Sequence, residues 1–329
     1  MLKASVYGNT DTGLVRTNNE DSYIAQAIWD NAHWLLVVID GLGGYEGGEV
    51  AASIAKSTVL ESIEKKTERS CLDIIMQAVA DANNAIYNKR INTKELGDMG
   101  CVMTAAILDL RKKQLNVAHV GDTRLYRYDN SGLEKLTHDH SFVGTLEDEG
   151  RISEEDAMKH PRRNLIDRIV GDEQKDTETS QFIEAAVFPV FRGEQYLLCS
   201  DGLSDMLTST EISDVLQETI TTKKKVQKLI ELANNHGGKD NITAIVAGVF
   251  SETNDSHFIR KNGVGKGKRN KTSTKNGNGS SVDVKSFDED VISSDTDNRD
   301  KNSLYSFSLL IIFIMTIVIT AIVLIRIHL

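Results

Sequence analysis

Cysteine is scarce in this chain, and the three present, Cys71, Cys101 and Cys199, show no short Cys-x-x-Cys spacing. An odd, widely separated set builds neither a disulfide framework nor a zinc knuckle, and it suits a reducing compartment. The opening M-L-K-A-S-V-Y-G-N-T-D-T lacks the apolar stretch of a signal peptide, so no secretory leader is expected. No internal repeat is visible, which excludes a repeat architecture. Basic charge is in deficit: 38 Lys and Arg face 48 Asp and Glu, a net charge of −10. Residues 252–329 hold 11 of the former and 9 of the latter, leaving 27 against 39 in residues 1–251. That acidity argues against nucleic acid as a partner.

What is present is most legible at the C-terminal end. No residue from 302 to 325 is charged, and residues 307–325 read F-S-L-L-I-I-F-I-M-T-I-V-I-T-A-I-V-L-I. As a helix that run spans about 29 Å, one hydrocarbon core, so residues 304–326 are expected to cross a membrane. The expectation is a single-pass C-terminal anchor with a monomeric catalytic domain on the cytoplasmic face of the cell membrane. The flanking charges, Arg299 and Lys301 before and Arg326 and His328 after, are too balanced to orient it. Residues 252–303 are rich in Ser, Asn, Asp, Gly and Lys and read as a disordered linker, unable to bury enough apolar surface to offset the entropy of ordering. Its charges are segregated, a basic block from Arg260 to Lys275 preceding an acidic one from Asp283 to Asp300. Two readings stay open for the basic block: a solvated tether, or contact with anionic membrane lipid.

Residues 1–251 are long enough for a substantial core. Short apolar runs bounded by turn residues, at 34–39, 102–108, 114–120, 125–128, 196–199 and 242–249, predict strands. Helical spacing recurs at 47–67, 71–90, 211–218 and 223–236. Two successive helices after one strand, then several strands in a row, predict an antiparallel α+β layered domain rather than a doubly wound parallel sheet.

Four aspartates share a setting. Asp40, Asp122 and Asp201 follow apolar runs with glycine adjacent (Asp40-Gly41, Gly121-Asp122, Asp201-Gly202), and Asp240-Asn241 precedes one. Strand ends bring distant carboxylates together, and clustered buried anions demand cations. All-oxygen ligation by carboxylates and carbonyls suits Mg²⁺ or Mn²⁺, and the lack of paired cysteines argues against structural zinc. A single Asp-Gly is ordinarily a turn; four at strand termini in one domain are not.

Read in order, G-L-V-R-T-N-N-E-D-S (13–22), V-V-I-D-G-L-G-G (37–44), H-V-G-D-T-R-L-Y (119–126), L-T-H-D-H-S (136–141), H-P-R-R-N (160–164), C-S-D-G-L-S-D (199–205) and K-D-N-I-T (239–243) resemble the successive motifs of the metal-dependent type 2C (PPM) serine/threonine protein phosphatases, most closely the bacterial branch. The resemblance covers about residues 4–250, nearly the whole of the chain before the linker. It implies a four-layer α/β/β/α sandwich of two mainly antiparallel sheets, and a hydrolase acting on phosphoserine and phosphothreonine proteins, with a Ser/Thr kinase and its substrates as partners. It further implies Asp40 bridging two Mn²⁺ or Mg²⁺ ions, the Gly41 carbonyl on one and Asp201 and Asp240 on the other. Glu20 and Asp21 would hold water on the ions, Arg16 would clamp the substrate phosphate, and Asn241 would support the metal shell. Two such cations lower the pKa of a water that attacks phosphorus in line, with no phosphoenzyme. Asp122 is implied in a third, weaker ion shared with Asp201.

The chain departs from the pattern in two places. Leu42 stands where some eukaryotic relatives carry a histidine that protonates the leaving group, so that proton must come from elsewhere. The Gly-x-Gly-Thr-Thr strand entry appears as Gly100-Cys101-Val102-Met103-Thr104. Residues 141–170 resemble a flap beside the active site, with Ser153 as the N-cap of a helix that ends at His160-Pro161. His138 and His140 are expected to support their loop rather than bind metal. No Cys-x5-Arg loop surrounds Cys199, which reads as core packing. Gly41-x-Gly43-Gly44-x-x-Gly47 invites a dinucleotide-binding reading, but Glu46 stands where the third glycine belongs. The stronger rival is a membrane-tethered phosphoprotein-binding pseudophosphatase, against which the full set of aspartates and Arg16 counts.

Overall fold

The computed structural model describes residues 1–43, 47–65, 69–175 and 181–251. The expected linker (252–303) and membrane span (304–326) lie outside the described residues. Among the described residues no helix is long and apolar enough to cross a membrane.

Among the described residues, ten strands form two five-stranded sheets. One has the order β1 (Leu2–Asp11), β10 (Ile242–Ser251), β9 (Gln195–Cys199), β6 (Arg124–Asp129) and β7 (Gly132–Lys135). The other runs β2 (Asp21–Ile28), β3 (His33–Leu42), β4 (Gly100–Asp109), β5 (Gln114–Val120) and β8 (Glu184–Pro189). Every neighbouring pair is antiparallel. The helices are α1 (Gly47–Glu64), α2 (Cys71–Asn92), α3 (Phe142–Asp148), α4 (Glu154–Met158), α5 (Asp201–Ser204), α6 (Ser209–Gln217) and α7 (Thr222–Asn235).

The layering follows from strand periodicity. In β3, Leu36 and Val38 enter a core shared with Leu125, Leu198 and Ile245 of the opposite sheet. Leu35, Val37 and Ile39 point the other way, into a core with Ala51, Ala55 and Val59 of α1 and Ile75 and Val79 of α2. A strand apolar on both faces is what a sheet covered twice requires. Across the sandwich, Leu197, Cys199, Ala244 and Val246 pack outward on Ile212 and Val215 of α6 and Val226 and Leu229 of α7. The result is helices, sheet, sheet, helices, as the resemblance implied, and Cys199 is core packing. Local chemistry fixes the helix starts: Ser70 caps α2, and Thr208 with Glu211 forms a capping box on α6.

The predicted strands and long helices are present with shifts of a few residues at their ends. Four strands were not singled out by pattern: β1, β2, β7 and β8. β1 and β8 mix half-buried and exposed positions, and β7 has only four residues, so none presents a continuous apolar run.

Register then gathers the carboxylates at one end of the sandwich. Asp21 at the start of β2 lies opposite Asp40 near the end of β3. β10 begins where β9 ends, with Ala244 opposite Cys199, so Asp240 before one strand and Asp201 after the other are brought to the same edge. Asp122 follows β5, whose Val120 faces Met103 of β4.

Candidate active site

The backbone at this edge is tightly apposed. A Cβ built on Gly41 would lie 2.2 Å from the Gly48 carbonyl oxygen and 2.6 Å from that of Glu20. One on Gly202 would lie 2.0 Å from the Asn241 oxygen. Only glycine permits either approach, which is why the Asp-Gly pairs sit here.

Asn241 organises the preceding loop. Its Oδ1 accepts the Glu20 N–H at 2.8 Å, and its Nδ2 donates to the carbonyls of Thr12 and Asn18, both at 2.9 Å. One buried amide thereby pins residues 12–20, the segment that carries Arg16 and Glu20. Arg16 Nη2 donates to Asp240 Oδ2 at 2.7 Å, with the guanidinium about half exposed. Asp240, Glu20 and Asp40 hold the Arg16 pKa above its ordinary value despite the opposing cost of burial.

The acids are strained electrostatically. Burial first, then Asp21, Asp201, Asp122 and Asp240, hold Asp40 well above the usual carboxylate range. Burial and the charges of Asp122, Asp205 and Asp240 do the same to Asp201. Burial pushes Asp21 up to about 6, against the pull of hydrogen bonds from Thr243 Oγ1 (2.6 Å) and Ser200 Oγ (2.7 Å). Asp122 is pushed up to about 7 by burial and by Asp139 and Asp205, with Arg124 opposing. Glu20 is raised by burial while Arg16 lowers it.

Among the described residues no Lys, Arg or His forms an ion pair with Asp21, Asp40 or Asp201. Like charges this close and this dry need a counter-charge or protons. The available donors are all oxygens, on backbone that two glycines allow to approach closely, and they fit hard divalent cations of the Mg²⁺ or Mn²⁺ type.

The sequence-predicted residues Arg16, Glu20, Asp21, Asp40, Gly41, Asp122, Asp201, Asp240 and Asn241 are therefore all at one edge. Reasoning from sequence missed several others. Ser200 and Thr243, inside quoted motifs, anchor Asp21. Asp205, one turn beyond Asp201, faces Asp122 across a cleft also lined by Asp139, Arg124 and Arg163. Arg124 is buried between Asp139 (2.6 Å) and Glu147 (2.7 Å), so its charge is already balanced. The flap closes this cleft: Arg163 Nε donates to Asp205 at 2.8 Å, and Glu154 of α4 accepts from Ser209 N and Oγ at the start of α6. Ser153 caps α4 as expected, and α4 ends at Met158, just ahead of His160-Pro161.

His138 and His140 support their loop. His140 Nδ1 accepts the Gly121 N–H at 3.1 Å, and His138 Nδ1 lies 3.1 Å from Glu184. His119, drawn down to about 4 by burial and by His140, has both ring nitrogens in hydrogen bonds, to Thr104 Oγ1 and the His138 carbonyl. The cluster of His119, His140 and Glu184 is thus a hydrogen-bonded scaffold beneath Gly121-Asp122.

A two-sheet sandwich whose one edge is an oxygen-rich cleft demanding cations defines a class of metal-dependent hydrolases. The chain belongs to the protein phosphatase 2C family, whose model matches residues 15–236. It is 36% identical over 241 residues to the serine/threonine phosphatase stp of Listeria welshimeri, an alignment covering 72% of this chain and 92% of that protein. It is 38% identical over 241 residues to the serine/threonine protein phosphatase PstP of Mycobacterium tuberculosis, covering 73% of this chain but 44% of that longer protein. The crystal structure of the Mycobacterium tuberculosis phosphatase PstP/Ppp superposes with a TM-score of 0.66 at 34% identity, covering 75% of this chain and 99% of that one. A second structure, of the PstP catalytic domain in complex with two manganese ions, gives a TM-score of 0.66 at 33% identity over 76% of this chain and all of that one.

Proposed function

We propose that this chain is a metal-dependent protein phosphatase that hydrolyses phosphoserine and phosphothreonine using two Mn²⁺ or Mg²⁺ ions. The observation that carries the reading is the group of Asp21, which is buried, and Asp40 and Asp201, which are partly buried, clustered without a protein cation beside an exposed-edge arginine. Asp40, the Gly41 carbonyl, Asp201 and Asp240 would hold the ions, with Glu20 and Asp21 engaging them through water. When bound, the ions supply Lewis acidity toward the phosphoryl group and an acidified water as nucleophile.

The chain's own residues do the rest. Arg16 offers planar paired donors to the phosphoryl oxygens, releasing Asp240 to ligate as substrate enters. Asn241 fixes the loop that aims Arg16 and Glu20. Ser200 and Thr243 hold one Asp21 oxygen, orienting the other toward the cleft. Asp122 with Asp201 and Asp205 would bind a weaker third ion and place a proton donor near the leaving oxygen, where Leu42 can donate none. Arg163 and Glu154 hold the flap against α5 and α6, so that flap position governs access by protein substrates. The retained acids and arginine disfavour a pseudophosphatase.

The uncharged run at 307–325 and the hydrophilic stretch before it support a further reading: the catalytic domain, residues 1–251, is tethered to the cytoplasmic face of the membrane, where it opposes a membrane Ser/Thr kinase. Phosphate release from a phosphothreonine peptide by the purified chain, with Mn²⁺ and then with excess EDTA, tests the activity. Turnover unaffected by EDTA would exclude it.

A further inference from the structure

The opposite end of the β3–β4 pair carries a second constellation that the phosphatase chemistry does not use. His33 opens β3 and lies in register with Asp109, which closes β4, seven residues along the strand from the Asp40 position and thus about 23 Å away. Cys71, the first residue of α2, completes the group. His33 Nε2 is 3.6 Å from Asp109 Oδ1, Cys71 Sγ is 4.0 Å from Asp109 Oδ2, and one ligand atom from each residue lies within 4.8 Å of the others.

Three features make this more than a chance cluster. First, the imidazole is oriented from behind: Asp30 Oδ1 lies 2.8 Å from His33 Nδ1 and also accepts the Ala32 N–H. A carboxylate on Nδ1 fixes the ring and turns Nε2 toward Asp109, the outer-shell arrangement typical of metal-ligating histidines. The Asp109 carboxylate facing Nε2 calls for positive charge between them, which a ring proton or a bound cation supplies. Secondly, Asp109 is 1% exposed, and its Oδ1 is held rigidly by the N–H groups of Arg111 and Lys112, while Oδ2 is directed at the cysteine. Thirdly, Cys71 opens the 22-residue α2, so its sulfur lies at the positive end of the helix dipole. Trp29 stacks edge-on against His33, with ring centroids 5.3 Å apart, and screens the site from one side.

We infer that His33, Cys71 and Asp109 form a binding site for a borderline-soft divalent cation of the zinc type, which staples the start of α2 to the distal end of the central sheet. Nitrogen, sulfur and oxygen donors from one residue each select zinc over magnesium or calcium. Tetrahedral zinc sets such donors about 3.3–3.6 Å apart, so binding would draw in atoms that already lie within 4.8 Å of one another. Binding displaces the Cys71 thiol proton to solvent, and water takes the fourth position. Linear spacing hides the site, since its members are far apart in sequence and no cysteine pair announces it.

The test uses the full chain with Mn²⁺ in excess to occupy the catalytic edge, and Co²⁺ as a spectroscopic probe of thiolate ligation. A near-ultraviolet thiolate-to-cobalt charge-transfer band should appear at one equivalent and be bleached by one equivalent of Zn²⁺. Cys71→Ser should abolish the band with Cys101 and Cys199 still present. Asp30→Asn, which keeps all three ligands, should weaken zinc binding about tenfold through loss of the orienting carboxylate. Absence of the band in the parent protein, or its persistence in the Cys71→Ser variant, would overturn the assignment, as would unchanged zinc affinity in the Asp30→Asn protein.

Discussion

Arg16 donates from Nη2 to Asp240 Oδ2 at 2.7 Å, so the proposed phosphate clamp and a proposed metal ligand are each other's partner. The pair has two uses: it parks the arginine at the rim, and it lets arriving phosphate and cation exchange partners without leaving a bare charge. Removing the guanidinium deletes charge-assisted hydrogen bonds to the phosphoryl group, worth about 1.5–3 kcal/mol. Arg16→Ala is expected to lower kcat/KM on a phosphothreonine peptide by roughly 10- to 100-fold, with metal binding retained by calorimetry. An unchanged kcat/KM would remove Arg16 from the phosphate site.

The acidic edge sets the pH response of the metal-free protein. Asp21 and Asp122 titrate near 6 and 7 in the folded state, above their ordinary carboxylate value of 3.8, so the folded chain holds more protons than the unfolded chain in that window. Their contribution to stability is complete below about pH 4 and falls as pH rises through 6 to 7. In EDTA, Tm should therefore decline between pH 5 and pH 7.5, and Mn²⁺ should restore it. A metal-free Tm that rises across this interval would contradict the electrostatic description.

The hydroxyls around Asp21 give a sharper local test. Thr243→Val leaves a buried carboxylate with one hydroxyl donor instead of two, and should cost about 1–3 kcal/mol in urea unfolding. The same substitution made together with Asp21→Asn should cost less than the sum of the two. Additive losses would show that the contact carries no coupling.

Asp122 separates two models of leaving-group protonation. If Asp122 organises the proton donor, Asp122→Ala should lose far more activity on phosphothreonine peptide than on p-nitrophenyl phosphate, whose leaving group needs little protonation. Equal losses on both substrates would assign Asp122 to the fold.

Much of this was legible in the sequence because strand termini and glycine leave local marks. Asp40-Gly41 and Asp201-Gly202 each join an apolar run to a glycine that close backbone approach requires, and Gly121-Asp122 to a glycine at positive φ; their convergence follows from antiparallel pairing. Ser200 and Thr243 left no such mark, since their hydroxyls matter only through contacts made across the sandwich to Asp21. Asp205 was obscured by its place at the C-terminal end of a short helix, where its role depends on the flap arginine Arg163. β1 and β8 escaped notice because partly exposed strands dilute the apolar alternation. The grouping of His33, Cys71 and Asp109 is a product of β3–β4 register and the position of α2, neither of which is written in residue spacing.

The central claim is that the clustered aspartates are a two-cation phosphatase centre, and calorimetric titration of Mn²⁺ paired with turnover on the same samples tests it most directly. The full chain should bind two ions at this edge and hydrolyse phosphothreonine peptide in proportion to their occupancy, while Asp201→Asn should fold, lose at least one ion and lose nearly all turnover. An Asp201→Asn protein with parental activity, or a parent that is active with no ion bound, would contradict the account.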